Sequence, residues 1–274
     1  GYMKQLIQNL KSGKMDIQEV PSPSILPGNI LVRVHYSLIS AGTEGSRVKT
    51  ARASLIGKAK ERPDQVKQVI ESVKSDGLSA TYQKVMTKLD SPSPMGYSAS
   101  GTVIGIGSDI RDIAIGDRVA CGGAQAGHAE IISVPRNLCV KMPEKLTFEH
   151  AAYTTVGAIA MQGIRQADLR LGETAVIIGL GLIGQLTVQM LKASGVHTIG
   201  IDLDKNAVEL ARKSGCTAAL LRNDPGIEDA VLSISSGIGA DSVIITAGTS
   251  SNDPVELAGK LLRKKGSVVI VGAV

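Results

Sequence analysis

The chain has 274 residues, enough to bury a sizeable core in two domains or in one large α/β unit. Its 43% hydrophobic and 20% charged residues exclude disorder for the bulk of the sequence. No apolar run is long enough for a membrane span and no basic-then-apolar leader opens the chain, so we expect a cytoplasmic protein. With one phenylalanine, five tyrosines and no tryptophan, few rings could stack on bases, which argues against nucleic-acid binding.

The net charge of +5 arises in residues 45–90, which hold ten basic and five acidic side chains. Because the two signs interleave, a solvated helical face is favoured over an anion-binding surface. The three cysteines, Cys121, Cys139 and Cys216, are far apart and lack C-x-x-C spacing, which argues against a disulfide framework and a structural zinc site. We expect them to be small buried side chains in a reducing compartment.

The first half of the chain is rich in predicted strands. Gly1 and Tyr2 are interpreted as a cloning remnant, so the first domain is expected to span residues 3–146. Alternating apolar residues and turn signals predict strands near 4–10, 16–20, 30–34, 101–107 and 129–134. Residues 46–89 gain helix formers instead, and Pro63 suits the first turn of a helix that runs to about Lys74. A helical insertion is therefore expected within this β domain.

The second half, residues 147–274, changes to strand–helix alternation. Thr147 is placed to cap a first helix that contains Glu149. Strands are predicted at 174–178, 197–201, 218–221, 242–247 and 267–271, and helices at 182–193, 206–214 and 254–262. This alternation is typical of a parallel sheet covered on both faces, and the fold class is therefore α/β.

The motif with the clearest chemistry follows the predicted strand 174–178. Residues 179–184 read G-L-G-L-I-G and lead into a helix, which is the context of a dinucleotide-binding loop. Gly179 permits the tight turn, Gly181 lets the backbone approach a pyrophosphate, and Gly184 allows close helix packing. Asp202 ends the next strand and is placed to bind the adenosine ribose hydroxyls. The carboxylate favours NAD over NADP, although Lys205 lies close.

These features resemble the medium-chain dehydrogenase/reductase superfamily, in which a GroES-like β domain precedes a Rossmann domain. The matching motifs are G-D-R-V at 116–119, residues 143–152, the glycine loop and the strand that ends at Asp202. Residues 37–44 and the helical insertion resemble a bacterial bi-domain oxidoreductase subgroup and the bacteriochlorophyllide dehydrogenases. The family sheet continues past residues 267–271, so we expect a fragment whose Rossmann domain is truncated after its fifth strand.

The resemblance implies a catalytic zinc, but the matching positions here carry Ser40, Tyr97 and Thr155. Neutral hydroxyls are poor substitutes for thiolate and imidazole, so we expect no metal. None of His35, His128 and His150 has a partner at metal-ligand spacing, and a structural role is favoured for them. General acid–base chemistry must then come from side chains, with Tyr97 as the leading candidate. Packing of Tyr97 into an emptied zinc site is an equally weighted alternative.

The candidate site residues fall into two groups. The candidate catalytic residues are Tyr97, Ser40, Thr43, Glu44 and Thr155. The residues expected to contact NAD are Gly179, Gly181, Leu182, Ile183, Gly184, Asp202, Leu203, Lys205, Thr246, Ala247, Gly248, Val271, Gly272 and Ala273.

The expected function is a zinc-free, NAD-linked oxidoreductase that transfers hydride between nicotinamide and the hydroxyl or carbonyl of a small molecule, such as a sugar or sugar nucleotide. The alternative is a non-catalytic dinucleotide-binding module that supports a fused or partner oxidoreductase domain. An NADPH-dependent quinone reductase is disfavoured by Asp202. The full-length protein is a candidate homodimer, because the family forms its dimer through the final strand.

Overall fold

Residues 1–155 form the first of two units in the computed structural model, which describes every residue from 1 to 274. Its strands are β1 (Tyr2–Asn9), β2 (Met15–Pro21), β3 (Asn29–Ser37), β4 (Pro92–Pro94), β5 (Ser98–Ile106), β6 (Arg118–Gly122), β7 (Ile131–Pro135) and β8 (Cys139–Lys141). Five of them form an antiparallel sheet in the order β7-β3-β5-β6-β8, and three form a second sheet in the order β2-β1-β4. The strand-rich first half is therefore confirmed.

The centre of the five-stranded sheet is tightly paired. Ile30 and Val32 on β3 and Val103 on β5 are fully buried in the core of this unit. A Cβ atom added at Gly101 would lie 2.0 Å from the carbonyl oxygen of Arg33 on the neighbouring strand. Glycine at position 101 is therefore required by the close approach of two backbones.

Four helices interrupt this β unit: α1 (Ala41–Arg52), α2 (Leu55–Glu61), α3 (Pro63–Asp76) and α4 (Leu78–Asp90). The helical segment begins at residue 41 rather than 46, because the Glu44 carboxylate reaches back to the backbone N–H of the N-cap residue Ser40. Pro63 is the first residue of α3, as predicted. No residue of α2 or α3 is buried, so these two helices contribute nothing to the core.

The short helix α5 (Phe148–Ala151) closes the first unit. The Thr147 side chain accepts a hydrogen bond from the His150 N–H at 3.2 Å, which confirms the predicted cap. The hydroxyl groups of Ser98 and Ser100 on β5 donate to the carbonyls of Ala152 and Phe148. These bonds hold α5 on the β sheet, and the compact unit extends to residue 155, beyond the expected division at 146.

Residues 156–274 form the second unit. After α6 (Thr154–Ala167), its elements are β9 (Thr174–Ile178), α7 (Leu182–Ala193), β10 (His197–Asp202), α8 (Lys205–Lys213), β11 (Ala218–Leu221), α9 (Ile227–Ile234), β12 (Ala240–Ile245), α10 (Asp253–Leu261) and β13 (Leu262–Ile270). The strands form a parallel sheet in the order β11-β10-β9-β12-β13. Separate apolar clusters cover its two faces, and every residue of the central strand β9 is buried. The predicted covered parallel sheet is confirmed.

The elements of the second unit differ from the predicted ones at a few places. Strand β9, helix α7 and strand β11 have the predicted bounds. Helix α9 is absent from the prediction, because it has only eight residues and its two buried residues, Ile227 and Val231, are about one turn apart. Strand β13 begins at Leu262, five residues earlier than predicted, and its pairing with β12 is irregular between Leu262 and Ser267. No helix in the chain is both long and apolar enough to span a membrane.

We expect Gly101→Ala to lower the free energy of unfolding by about 3 kcal/mol, because the new methyl group forces the backbones of β3 and β5 apart. Urea unfolding followed by circular dichroism measures this change. The matched control is Gly45→Ala in α1, where no atom lies within 4 Å of the added Cβ. The control should be neutral or stabilising by up to about 1 kcal/mol. Equal stability of the two variants would contradict the argument.

Candidate dinucleotide site and candidate acid–base cluster

The glycine loop joins the buried strand β9 to helix α7. Gly179 has φ +99°, and a Cβ there would lie 2.5 Å from the Ala247 backbone nitrogen. A Cβ at Gly184 would lie 1.9 Å from the Gly179 carbonyl oxygen. These two glycines are required by the tight turn and by the close packing of α7 against it.

Gly181 differs from its two neighbours in the motif, because no atom lies within 4 Å of a Cβ added there. It is the N-cap residue of α7 and makes no side-chain cap. The first N–H groups of a helix, here those of Leu182 and Ile183, have no partner within the helix. Open space beside uncapped N–H groups at a helix N-terminus suits a phosphate group.

Asp202 ends β10 beside this loop. Its Oδ2 accepts a hydrogen bond from the Leu180 N–H at 2.6 Å, and its Oδ1 accepts from the Asp204 N–H at 2.8 Å. Each carboxylate oxygen has a further lone pair that can accept a ribose hydroxyl. The adjacent Leu203 is 84% exposed, and Lys205 is an exposed residue in the first turn of α8.

One arginine also lies at this end of the sheet. The Arg222 N–H donates to the Asp202 carbonyl oxygen at 2.9 Å, so the two residues are neighbours. The Arg222 guanidinium donates two hydrogen bonds of 2.7 Å to the two carboxylate oxygens of Asp253. These bonds hold the pKa of Asp253 below its ordinary value and raise the pKa of Arg222. The Arg222 guanidinium is therefore already paired with the Asp253 carboxylate.

The remaining predicted cofactor residues follow β12 and β13 at the same edge of the sheet. They are Thr246, Ala247, Gly248, Val271, Gly272 and Ala273. The Thr246 hydroxyl donates to the Gly179 carbonyl oxygen at 2.5 Å, and a Cβ at Gly272 would lie 1.9 Å from the Ala247 carbonyl oxygen. The ends of three adjacent strands thus meet at the glycine loop, which is where α/β sheets bind ligands.

In the first unit, the structure brings together two residues that the sequence separates by 84 positions. His128 Nε2 lies 2.6 Å from Glu44 Oε1, and His128 Nδ1 lies 2.7 Å from Ser37 Oγ. The second carboxylate oxygen of Glu44 accepts from the Ser40 N–H at 2.6 Å. Both side chains are buried, with 5% of Glu44 and 11% of His128 exposed. We call these four residues the Glu44–His128 cluster.

The other candidate catalytic residues lie at different distances from this cluster. Ser40 belongs to it through its backbone, and Thr43 is exposed on α1. Tyr97 follows Gly96, where an added Cβ would lie 2.9 Å from His128 Nε2, and is half-buried. Thr155 lies beside β6, where its hydroxyl donates to the Cys121 carbonyl oxygen at 3.3 Å. No contact joins Thr155 to Glu44 or His128.

The metal-ligating side chains of the chain do not form a catalytic metal site. No three histidine, cysteine, aspartate or glutamate side chains lie close enough together to hold one metal ion. Glu44 and His128 are bonded to each other and to backbone or hydroxyl groups. The donor set therefore does not fit a protein-bound zinc ion, which needs at least three such ligands in catalytic sites.

The sequence model of the alcohol dehydrogenase GroES-like domain matches residues 65–144, and that of the zinc-binding dehydrogenases matches residues 183–274. The first match lies in the β-rich unit and the second in the parallel-sheet unit. The chain belongs to the medium-chain dehydrogenase/reductase superfamily.

Two curated members of the superfamily and one solved structure illustrate the likeness. D-guloside 3-dehydrogenase from Shigella flexneri is 32% identical over 156 residues, which are 56% of this chain and 44% of that protein. Alcohol dehydrogenase from Geobacillus stearothermophilus is 26% identical over 98% of this chain and 77% of its own length. A structure from Sinorhizobium meliloti 1021 bound to NADP has a TM-score of 0.73 and 23% identity, and the match covers 100% of this chain and 78% of that one. The match to the first relative thus spans less than half of its length.

Sequence reasoning found the superfamily's glycine loop but not the Glu44–His128 cluster. His128 was expected to have a structural role with no partner at metal-ligand spacing, and Glu44 was a candidate catalytic residue with no predicted partner. Two signals were available: Gly127, before His128, permits a close backbone approach, and an acidic residue in the first turn of a helix, such as Glu44, is typical of N-terminal capping. Neither signal specifies that the two residues meet.

We expect Glu44→Ala to lower the free energy of unfolding by about 1–3 kcal/mol, because it leaves the Ser40 N–H and a buried imidazole nitrogen without an acceptor. Urea unfolding measures the loss. Glu71→Ala is the matched control, since Glu71 is an exposed residue of α3. Glu44→Gln retains an acceptor for the Ser40 N–H and should lose less. A loss for Glu44→Ala no larger than that of Glu71→Ala would contradict a stabilising role.

Proposed function

We propose that this chain carries a zinc-independent, NAD-linked oxidoreductase activity that transfers hydride between nicotinamide and the hydroxyl or carbonyl group of a small polar molecule. The observation that carries the proposal is the open space at Gly181, beside the uncapped start of α7 and the fixed carboxylate of Asp202. A glycine loop that served only packing would have no reason to leave this position open.

The residues present fit a dinucleotide. The N–H groups at the start of α7 would bind the pyrophosphate, and Asp202 would accept the adenosine ribose hydroxyls. The backbone after β12 and β13, from Thr246 and from Val271 onward, would border the nicotinamide half. When bound, the nicotinamide supplies the hydride acceptor or donor, and the protein supplies position and electrostatics.

NAD is favoured over NADP by charge. A 2′-phosphate would meet the carboxylate of Asp202, and Arg222, the adjacent guanidinium, is already paired with Asp253. Lys205 is the one exposed cation next to Asp202 in sequence that could offset this repulsion. A member of the fold does bind NADP in its solved structure, so the preference rests on these side chains and not on the fold.

Alcohol oxidation also releases a proton, which a side chain must accept where no metal lowers the pKa of the alcohol. Tyr97 remains the leading candidate for this role, with Ser40, Thr43, Glu44 and Thr155 as the further candidates. The Glu44–His128 cluster favours a proton acceptor near Gly96 and Tyr97, because its buried carboxylate and imidazole lie beside Gly96.

The substrate class is proposed from the relatives. Their names include D-guloside 3-dehydrogenase, sorbitol dehydrogenase and (R,R)-butanediol dehydrogenase, all of which act on polyhydroxylated or vicinal-diol compounds. A sugar, or a sugar nucleotide, is therefore the proposed substrate of the whole protein.

The second candidate function is a dinucleotide-binding module that supports a fused or partner oxidoreductase domain without catalysing hydride transfer itself. The absence of a three-ligand metal cluster favours it, because the zinc chemistry of related enzymes has no counterpart here. Turnover of the full-length protein against a panel of sugars and polyols separates the two. NADH formation above background supports the enzyme, and tight NADH binding without turnover of any member supports the module.

We expect Gly181→Ala to lower NADH affinity about tenfold or more, because the methyl group fills the space at the start of α7 where a phosphate would bind. Its backbone has φ −73°, which alanine adopts without strain, so thermal stability should not change. Isothermal titration calorimetry measures the affinity. Gly259→Ala on α10 is the control, since open space also surrounds that residue. Unchanged NADH binding by Gly181→Ala would remove the proposed phosphate site.

Titration of NADH and NADPH into the wild-type chain and Asp202→Ala tests the ribose contact. The wild-type chain should bind NADH more tightly, and Asp202→Ala should lose about tenfold or more in NADH affinity as two charge-assisted hydrogen bonds disappear. The NADPH affinity should stay constant or rise, because a repulsive charge is removed. Asp229→Ala, an exposed position on α9, controls for the general loss of a negative charge. Equal affinity of the wild-type chain for NADH and NADPH would contradict the NAD assignment.

A further inference from the structure

Two of the three cysteines face each other across the edge of the five-stranded sheet. Cys121 on β6 and Cys139 on β8 are direct partners in the antiparallel register. Their sulfur atoms are 4.0 Å apart, and the Cys121 thiol donates a hydrogen bond to the Cys139 sulfur. Both are free cysteines and both are buried. The sequence predicts small buried cysteines, and all three are buried, but it does not predict that Cys121 and Cys139 face each other.

We propose that Cys121 and Cys139 are a redox modification site, a dithiol that closes to an intramolecular disulfide when the chain meets a hydroperoxide or a low-molecular-weight disulfide. The proposal is independent of the proposed dehydrogenase activity, because neither thiol belongs to the candidate cofactor or acid–base residues.

The backbone geometry already suits the bond. Directly opposed residues of an antiparallel pair have Cα atoms about 4.5–5.5 Å apart, which lies inside the range of about 4.4–6.8 Å found in disulfides. The sulfur atoms must therefore approach by rotation of side chains, with little change in the strands. The bond would close a loop between residues that are 18 positions apart.

The two thiols have different chemical roles. The Cys121 hydrogen bond, followed by the charge of Arg136, holds the pKa of Cys139 below its ordinary value, whereas the pKa of Cys121 is raised. Because the thiolate is the reactive form, Cys139 is the attacking sulfur and Cys121 the resolving one.

Access to Cys139 depends on its place in the sheet. Strand β8 has three residues, pairs only with β6 and lies at the sheet edge. The neighbours Leu138 and Val140 are 40% and 53% exposed. A short edge strand opens locally at a lower free energy than the core, and such an opening brings the Cys139 sulfur to solvent without global unfolding.

The reaction balances with a hydroperoxide ROOH as oxidant. The Cys139 thiolate attacks the peroxide oxygen, the O–O bond breaks, and with one proton the products are a Cys139 sulfenic acid and ROH. The Cys121 thiol then attacks the Cys139 sulfur, the S–S bond forms, and the hydroxyl leaves as water with the thiol proton. Two thiols lose two electrons and two protons in total, and the peroxide is reduced to ROH and water.

Cys216 provides an internal control. It is buried in the second unit, its thiol donates to the carbonyl oxygens of Ala218 at 3.0 Å and Thr198 at 3.4 Å, and burial raises its pKa. It has no cysteine partner in the structure. It should therefore remain reduced under conditions that oxidise the other two.

The test is treatment of the native full chain with hydrogen peroxide or oxidised glutathione, followed by alkylation of free thiols, proteolysis and mass spectrometry. The expected product is a peptide pair joined through Cys121 and Cys139, with Cys216 alkylated, and dithiothreitol should reverse the bond. The oxidised chain should also unfold at a higher urea concentration. Failure to detect this pair, or its formation only after unfolding in urea, would overturn the proposal.

Two variants separate the steps. Cys121→Ser should leave a Cys139 sulfenic acid that dimedone traps, and Cys139→Ser should suppress both the bond and the trapped product. Cys216→Ser should form the bond at the wild-type rate. Dimedone labelling of Cys121 in Cys139→Ser at the rate of Cys139 in Cys121→Ser would overturn the assigned roles. Because the wild-type peptide map is decisive without any variant, misfolding of a serine variant does not affect the test.

Discussion

Backbone segments in the second unit approach one another more closely than any side chain allows. Helix α7 starts within a few residues of β9 and packs onto its end, and a Cβ at Gly184 would lie 1.9 Å from a carbonyl oxygen of that turn. Gly272 makes a similar approach to Ala247. These contacts bring the ends of β9, β12 and β13 together, whereas the space beside Gly181 at the start of α7 stays open. The proposed nucleotide site thus depends on two features: backbones that pack too closely for side chains, and open space at the start of α7.

The first unit uses a different solution. Hydrogen bonds from the Ser98 and Ser100 side chains to backbone carbonyls hold α5 on its five-stranded sheet. The start of the helical segment is joined to the β sheet by the buried bond between Glu44 and His128. The Glu44 carboxylate and the His128 imidazole bond to each other. The Ser40 N–H and the Ser37 hydroxyl occupy their remaining atoms, so these bonds take little space and are complete without a metal ion. This arrangement gives the unit a buried polar group whose bonding capacity is satisfied.

Local patterns predicted much of the fold. The strand 174–178, the helix 182–193 and the cap at Thr147 follow from apolar periodicity, glycine placement and N-cap chemistry, all of which act within a few residues. The glycine loop and Asp202 were predictable for the same reason, since the motif has fixed spacing. The Glu44–His128 bond was not, because it is a long-range contact between helix α1 and a loop 84 residues away, which no local pattern displays. The pairing of Cys121 with Cys139 was missed for the same physical reason.

Helices α2 and α3 have no buried residue, so little apolar packing opposes their local unfolding. The segment is held by contacts such as those of Arg47 with Ser93 and of Lys58 with the Lys11 carbonyl, together with the Glu44–His128 bond at its start. Without a core of its own, its opening free energy lies well below that of the sheets. Amide hydrogens in residues 55–76 should exchange with solvent long before those of β3 and β5. The chain therefore carries a stretch of helix that can unfold and refold while the rest of the protein stays native.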